Sequence, residues 1–404
     1  MSSVAAIDRG PAGAARLLTS REHGPLPRVR NPRDRARLLA EVEASGLTGR
    51  GGAGFPTAVK LAAVARGRSP VVVANGTEGE PASWKDKVLL ASNPHLVVDG
   101  AVVAAQLVGA RELVFTVGRS HGGVRKQLER ALHERDDDLD VYVESVPDRF
   151  VAGEERALVG WLNGREAKPT MDRPFERGFG GRPTLVQNVE TFANLGLVAR
   201  YGAAWYRRRG TKDEPGTVLV TVHGAVKQPG VVEVELGTPI RDVLQRFGGL
   251  TALPHALLVG GYFGTWVRAH DAIDLPLTNA ALAQLGASLG ARAIVVLPQD
   301  ACGLLESVRV ARYLAAESAG QCGPCVFGLP AMADALERLD VDRLRRLAPQ
   351  VSGRGACAHP TGATRFVASA ARVFADEIER HRAGRCCGPK HPPVLPLGAS
   401  REWR

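Results

Sequence analysis

The chain has few aromatic residues and no long apolar run, and each shortage excludes a class of protein. Only 5% of its 404 residues are aromatic. The best candidate for a membrane span, residues 96–108, is interrupted by Asp99 and Gln106 and is shorter than the ~18 apolar residues that cross a bilayer. We therefore expect no direct membrane span.

A secretion signal is also missing. The first 18 residues place Asp8 and Arg9 where a signal peptide needs an apolar core. We expect a cytoplasmic protein, peripheral to the inner membrane at most through its partners. Its six cysteines are then thiols or metal ligands rather than disulfides.

The net charge of +10 comes without a basic block, because the arginines are scattered along helix-like segments. With few aromatics to stack on bases, this pattern argues against nucleic-acid binding. It favours attraction to an acidic protein or a phosphorylated cofactor.

The composition, 45% hydrophobic and 23% charged, is typical of a globular protein with several domains. The pattern predicts an α/β and α+β multidomain chain. Its predicted segments are a lead-in helix (1–45), an α/β domain (46–215), a β-grasp domain (216–292), a helical domain (293–383) and a flexible tail (384–404).

Three Val-rich strands, at 70–75, 112–118 and 141–146, alternate with helices at 96–108 and 122–135. This alternation predicts a largely parallel sheet. Further on, two β-rich runs joined by a Gln-Pro-Gly turn, followed by a helix that ends at Gly248-Gly249, are typical of a β-grasp module. A strand at 293–298 precedes four segments with helical periodicity.

The stretch Gly49-Arg-Gly-Gly-Ala-Gly54 has the spacing of a dinucleotide-binding motif but follows a helix instead of a strand. A flexible loop and a phosphate cradle both fit it. Asn75, Glu78 and Glu80 follow a predicted strand, where ligands often bind, although a solvated acidic turn fits equally. For residues 151–158 and 182–195, helix capping is the simplest interpretation.

The cysteines allow three interpretations. Cys322-Gly-Pro-Cys325 has the sequence of a thioredoxin site but follows a long helical segment. Cys357 lies 32 residues further on (357 − 325), after two predicted helices that bring it back toward the pair. Iron-sulfur binding is favoured over zinc, with no evident fourth ligand among Cys302, Cys386 and Cys387.

The order and wording of GLTGRGGAGFPT, VANGTEGEP, VAGEE, VQNVET and ESAGQCGPC resemble the NADH-binding flavoprotein subunit of respiratory complex I and its relatives in soluble hydrogenases and formate dehydrogenases. The resemblance covers about residues 35–380. It implies a Rossmann-like FMN and NADH domain, a ubiquitin-like β-grasp domain of the SLBB type, and a helical bundle with a 4Fe-4S cluster.

The resemblance also implies a site. The residues expected around the FMN are Gly49, Arg50, Gly51, Gly52, Gly54, Lys60, Asn75, Glu78, Gly153, Glu154, Asn188 and Thr191. Those expected near NADH are Phe55, Glu80, Glu155 and Phe175, and the expected metal ligands are Cys322, Cys325 and Cys357.

The implied activity is that of an NADH dehydrogenase. Hydride passes between bound cofactors, so no catalytic side chain is expected. Electrons then leave singly through the cluster to a ferredoxin-like or quinone-linked partner. A thioredoxin-fold 2Fe-2S subunit is a further implied partner.

Three residues depart from the family pattern. Ala63 and Asp172 replace an aromatic and a lysine expected near the nucleotide, although Arg173 offers a substitute cation. This predicts weakened or altered nucleotide preference, which ordinary tight NADH binding in a titration against NADPH would disprove.

The third departure is Ala319, which replaces the first cysteine ligand. The cluster then recruits another ligand, keeps an iron with an open position, becomes 3Fe-4S, or is absent. The alternative function, favoured by the three departures together, is a nucleotide-binding scaffold or sensor without its own functional cluster.

Overall fold

The computed structural model describes residues 6–8, 16–19, 24–27, 29–385, 392–398 and 403. The strands in these residues are β1 (Ala6–Asp8), β2 (Val71–Gly76), β3 (Glu112–Gly118), β4 (Asp140–Val146), β5 (Thr184–Asn188), β6 (Thr217–Gly224), β7 (Gly230–Glu235), β8 (Pro254–Val259), β9 (Thr265–Arg268) and β10 (Ala293–Pro298).

The α-helices in the first two thirds of the described chain are α1 (Pro32–Ser45), α2 (Thr57–Val64), α3 (Lys85–Ser92), α4 (Pro94–Val108), α5 (Gly122–His133), α6 (Glu155–Leu162), α7 (Val189–Tyr206), α8 (Ile240–Gln245), α9 (Ala269–Ala272) and α10 (Asn279–Ala283). Those that follow are α11 (Gly303–Ala316), α12 (Leu329–Glu337), α13 (Val341–Val351), α14 (His359–Val373) and α15 (Ala375–Arg382).

The first helix has clear start and stop signals. Asn31 accepts the backbone N–H groups of Arg33 and Asp34 at its N-terminus. Gly46 ends it in the left-handed conformation (φ 70°), where a side chain would be strained. The predicted end of this helix at Gly46 is confirmed.

The first sheet is parallel, with strand order β4-β3-β2-β5. The chain moves from β2 outward to β4 and then crosses back to place β5 on the other side of β2. In such sheets ligands bind beyond the carboxyl ends of the strands at this reversal. Asn75 of β2 and Asn188 of β5 are paired in register there.

Helices α4 and α7 pack closely over this sheet. Gly100 permits the approach, because a Cβ atom added to it would lie 1.6 Å from the Phe192 carbonyl oxygen. Nearly all of α4 is buried. In the described part of the chain no single helix is long and apolar enough to cross a membrane, and only α3 and α4 taken together, bent by 98°, pass that test.

The second sheet is mixed, with strand order β1-β7-β6-β10-β8-β9. The predicted hairpin is confirmed as β6 and β7, which pair antiparallel. The strand at 293–298 was expected in the helical domain. It instead lies inside this sheet, parallel to β6 and antiparallel to β8, and its six residues are buried.

Both ends of the chain also differ from expectation. The backbone N–H groups of Arg16, Leu17 and Leu18 all donate to the buried Glu233 carboxylate, so part of the lead-in packs on the second sheet. In the predicted flexible tail, Leu395 is 1% exposed and its N–H donates to Glu306. Apolar burial therefore fixes residues 392–398, whereas Cys386 and Cys387 lie outside the described residues.

Candidate functional site

The glycine-rich loop lies over the carboxyl end of β5. The Arg50 N–H donates to Thr191 Oγ1 (2.8 Å), and the Gly49 N–H closes the loop by donating to the Phe55 carbonyl (2.8 Å). Gly52 and Gly54 have φ values of 113° and 65°, which disfavour any other residue. A Cβ atom at Gly54 would meet no atom within 4 Å, so the cradle has open space for a bound group.

The Arg50 side chain supports the loop from the protein interior. It is 2% exposed and donates to the Tyr206 hydroxyl, while Arg292 donates to the Arg50 carbonyl from the second sheet. Arg50 and Arg292 thus hold the loop from behind. Gly51 approaches the strand end, where an added Cβ atom would lie 3.4 Å from that of Asn188.

The opposite wall of the site is the turn before α6. Asn75 Nδ2 donates to the Gly153 carbonyl (2.8 Å), which ties this turn to the end of β2. Glu154 accepts the first N–H groups of α6, as its position at the N-cap requires. Glu155 forms an ion pair with Lys60 (2.7 Å) across the mouth of the site.

The two predicted acidic contacts are already engaged. Glu78 accepts the N–H groups of Asp86 and Lys87 at the start of α3. Glu80 accepts N–H groups from Ala82 and from Tyr262 of the second sheet's domain. Burial raises the pKa of Glu80 to about 7, against the effect of these two hydrogen bonds. Glu80 therefore joins the two sheets as well as bordering the site.

A buried ionic network lies beneath the loop, and the sequence did not reveal it. Lys85 Nζ contacts Asp86 (2.6 Å), Glu190 (2.9 Å) and the Asn188 side-chain oxygen (3.2 Å). Burial alone would lower the pKa of Lys85, but the carboxylates of Asp86 and Glu190 raise it. The pKa of Glu190 is lowered because Lys85, Arg292 and Arg50 outweigh its burial. The network fixes Asn188 at the head of α7.

The residues expected near the nucleotide are accessible. Phe55 and Phe175 are 51% and 37% exposed, so a planar ligand can reach both side chains. Asp172 and Ala63 are partly exposed.

Cys322, Cys325 and Cys357 are neighbours at one end of the helical bundle. Burial, with the neighbouring thiols of Cys322 and Cys357, raises the pKa of Cys325 to about 12. Burial also raises the pKa of Cys357. Thiolates in such a place need the positive charge of bound iron, so this donor set fits an iron-sulfur cluster with three protein thiolates. Among the described residues, no three His, Cys, Asp or Glu side chains are grouped as a single metal ion requires.

Cys302 is excluded as the fourth ligand. It precedes α11, whereas Cys322 and Cys325 follow that helix, and 14 residues of helix measure about 21 Å. Its thiol instead contacts Glu377 and His381 of α15. Cys386 and Cys387 lie outside the described residues. Shortly before them, Arg382 donates to the Leu339 carbonyl, which follows α12.

The segment that leads into the turn before α6 directly contacts the cysteine loop. Glu317 is 1% exposed, pairs with Arg149 (3.2 Å) and accepts the Phe150 N–H (2.9 Å). The Phe150 ring packs edge-on against His359, two residues after Cys357, with ring centroids 5.7 Å apart. The two sites are therefore joined by buried side chains that sequence patterns did not mark.

Comparisons with known families agree with this division. Residues 42–197 match the Nuo51 FMN-binding domain, residues 219–261 the SLBB domain, and residues 307–381 the iron-sulfur binding region of NADH-ubiquinone oxidoreductase-F. The fold and site define an NADH dehydrogenase component with FMN and iron-sulfur cofactors that transfers electrons.

Individual relatives narrow this class. The chain is 31% identical over 377 residues to the NADH-quinone oxidoreductase F subunit of Streptomyces coelicolor, covering 87% of this chain and 84% of the relative. It is 30% identical to the corresponding protein of Rhodobacter capsulatus, covering 87% and 88%. The chain belongs to the family of NADH-quinone oxidoreductase F subunits.

A solved NAD+-reducing NiFe hydrogenase, captured in its H2-reduced state, has the same fold, with a TM-score of 0.77 and 30% identity. The match covers 86% of this chain but only 63% of the hydrogenase chain. None of the comparisons supports the scaffold or sensor alternative. Membership of multisubunit assemblies implies partner subunits that exchange electrons with this chain.

Proposed function

We propose that this chain oxidises NADH at the crevice between the glycine-rich loop and the turn before α6. Bound there, FMN would accept hydride from NADH and release electrons one at a time. The Gly49–Gly54 backbone, held by Thr191, would form the floor of this site, and the Gly153 turn, held by Asn75, its wall. The open space at Gly54, in the loop that Thr191 holds, is the observation that carries this proposal.

Phe55 and Glu155 would orient the nucleotide from the mouth. Phe55 offers an exposed ring for stacking. Lys60 holds Glu155 in place through their ion pair. Phe175 lies in the stretch that departs from the family at Asp172, so we propose that it borders the nucleotide with weaker electrostatic support.

Gly54→Ala will weaken FMN binding, whereas Gly286→Ala will not. Both glycines have φ near 65° and open space around the missing Cβ, so both variants lose about 1–2 kcal/mol of stability through backbone strain. Only Gly54 faces the proposed flavin. We expect its FMN affinity to fall at least about tenfold, equivalent to about 1.4 kcal/mol, measured by flavin fluorescence and by bleaching on anaerobic addition of NADH. Equal FMN affinities in the two variants would contradict this site.

The electron acceptor is proposed to be an acidic ferredoxin-like protein that docks beside the cysteine loop. Phe327, two residues after Cys325, is 75% exposed. Arg346 of α13 and Arg354 are also exposed. They lie on the same side as Phe327, because Val351 at the end of α13 packs against Gly328. An apolar centre with a basic rim suits a transient partner of opposite charge. We further propose that such partners alone would hold the chain at a membrane.

Arg346→Glu with Arg354→Glu will slow electron transfer to such an acceptor by about tenfold at low salt, since steering by opposite charge is lost. The difference will shrink as salt rises, because exposed charges are screened. Stopped-flow reduction of an acidic ferredoxin measures the rate. The control, Arg37→Glu with Arg111→Glu, changes the net charge equally at exposed positions of the flavin-side domain. Equal slowing in both double variants would place the docking surface elsewhere.

A further inference from the structure

The cysteine loop lacks a side chain that can bind iron at position 319. Ala319 is 8% exposed and presents only a methyl group. Cys302 lies at the opposite end of α11, as described above. Glu317 is engaged by Arg149 and by the Phe150 N–H. Among the described residues, a fourth protein ligand would have to be a side chain other than these three, close to the thiols.

His359 is such a side chain. It is 1% exposed, and its Nε2 lies 2.8 Å from the Leu314 carbonyl oxygen. A carbonyl oxygen only accepts hydrogen bonds, so Nε2 carries the proton and donates it. The other ring nitrogen, Nδ1, is buried and has no hydrogen-bond partner among the described residues. An unpaired buried polar atom costs free energy unless something binds it.

His359 is close to the third cysteine in the chain and in space. It follows Cys357 by two residues, and its backbone N–H donates to the Cys357 thiol. Its ring reaches the last turn of α11 at Leu314, five residues before Ala319. The rings of Phe150 and Phe263 enclose it edge-on, at 5.7 and 5.3 Å. His359 is thus tied to Cys357 through its backbone and to the end of α11 through its ring.

We propose that His359 Nδ1 is the fourth protein ligand of the iron-sulfur cluster in this chain and replaces the cysteine missing at position 319. A metal-binding histidine usually donates its other ring N–H to a carbonyl or carboxylate, and the Leu314 carbonyl already fills that role. Three thiolates with one neutral imidazole carry one negative charge fewer than four thiolates. Histidine ligation accordingly raises the reduction potential of a cluster.

The competing ligand is the Ser318 hydroxyl. It hydrogen-bonds with the Cys325 thiol and directly precedes Ala319. Unlike His359 Nδ1, it already has a hydrogen-bond partner. His359 is therefore favoured, and Ser318 is tested alongside it.

The experiment uses the full chain with its cluster reconstituted anaerobically and with ¹⁵N-labelled histidine. Pulsed electron paramagnetic resonance of the reduced cluster should detect a directly bound ¹⁵N nucleus, and Mössbauer spectra should show four irons. His359→Phe keeps an aromatic ring against Phe150 and should lose both the nitrogen coupling and the fourth iron. Ser318→Ala and the remote control His255→Phe should keep both.

A second variant tests the assignment even if His359→Phe does not fold. Ala319→Cys retains His359 but supplies the missing thiolate. We expect it to keep four irons, lose the nitrogen coupling and shift the reduction potential downward. A 3Fe-4S cluster in the unmodified chain, a four-iron cluster without nitrogen coupling, or a coupling that survives in Ala319→Cys would each overturn the assignment. Loss of the fourth iron in Ser318→Ala alone would assign the ligand to Ser318 instead.

This inference rests on the proposed function, because it requires the cluster to be present. The two fail separately. FMN binding and flavin bleaching by NADH depend on residues of the first sheet's domain. They remain measurable whichever group binds the fourth iron. A chain that bleaches normally without a nitrogen-bound iron would disprove only the ligand assignment.

Discussion

Glu317→Ala will destabilise the chain by about 3–5 kcal/mol, since it leaves Arg149 buried without its carboxylate. It also removes the acceptor of the Phe150 N–H, so the turn beside the flavin will shift relative to the cysteine loop. We expect flavin bleaching by NADH to continue, while reduction of the cluster slows. Unfolding in urea followed by tryptophan fluorescence measures the first effect, and freeze-quenched spectra of the cluster measure the second.

Glu337→Ala is the matched control for Glu317→Ala. Glu337 pairs with Arg312 in the same helical bundle, but its side chain is 55% exposed. Exposed pairs contribute at most about 1 kcal/mol, so this variant should remain close to the unmodified chain in both measurements. If Glu317→Ala lost no more stability than Glu337→Ala, the buried contact would not be what joins the two sites.

Lys85→Ala will lower the free energy of unfolding by a similar ~3–5 kcal/mol, because Asp86 and Glu190 would remain buried without their cation. Asn188 would lose a contact that holds it, and FMN retention should fall with stability. The loss should grow as pH rises from about 5 to about 8. Without Lys85 the carboxylates hold their protons to higher pH in the folded chain than in the unfolded chain, so folding weakens as those protons leave.

Lys87→Ala provides the comparison for Lys85→Ala, two residues away on the same helix. Lys87 is partly exposed and lies 3.7 Å from Glu78, so removing it should change stability by about 1 kcal/mol or less. Thermal unfolding and flavin release at the two ends of that pH range measure both variants. A pH-independent loss in Lys85→Ala would show that packing, and not charge compensation, explains its burial.

Much of the local structure could be predicted because it depends on local signals. Gly46 ends α1 through its own backbone freedom, and the Gln-Pro-Gly turn fixes the β6–β7 hairpin. The sequence also predicts the strand at 293–298, but it does not predict that this strand pairs with β6 and β8. A fully buried strand has no alternating pattern, so its sequence does not say which sheet it joins.

The interior of the site was much harder to predict. Lys85 has the sequence context of an exposed helix residue, and its partner Glu190 lies 105 positions away (190 − 85). Thr191 and Asn188 were predicted only through the resemblance, which did not reveal that Thr191 contacts the loop and Asn188 the buried network. Long-range polar pairing leaves no periodic trace in a single sequence.

The contacts between the two sheets limit how this chain can be divided. Glu190 accepts the Leu219 N–H, Trp84 packs edge-on against His223 with ring centroids 4.0 Å apart, and Arg292 donates to the Arg50 carbonyl. Each contact joins a residue of the first sheet's domain to a residue of the second sheet's domain. A fragment that contained only the flavin-binding region would thus expose the Trp84 ring and leave the Glu190 carboxylate without the Leu219 N–H. For expression and engineering, the regions that match the FMN-binding and SLBB domains must therefore be kept together as one piece.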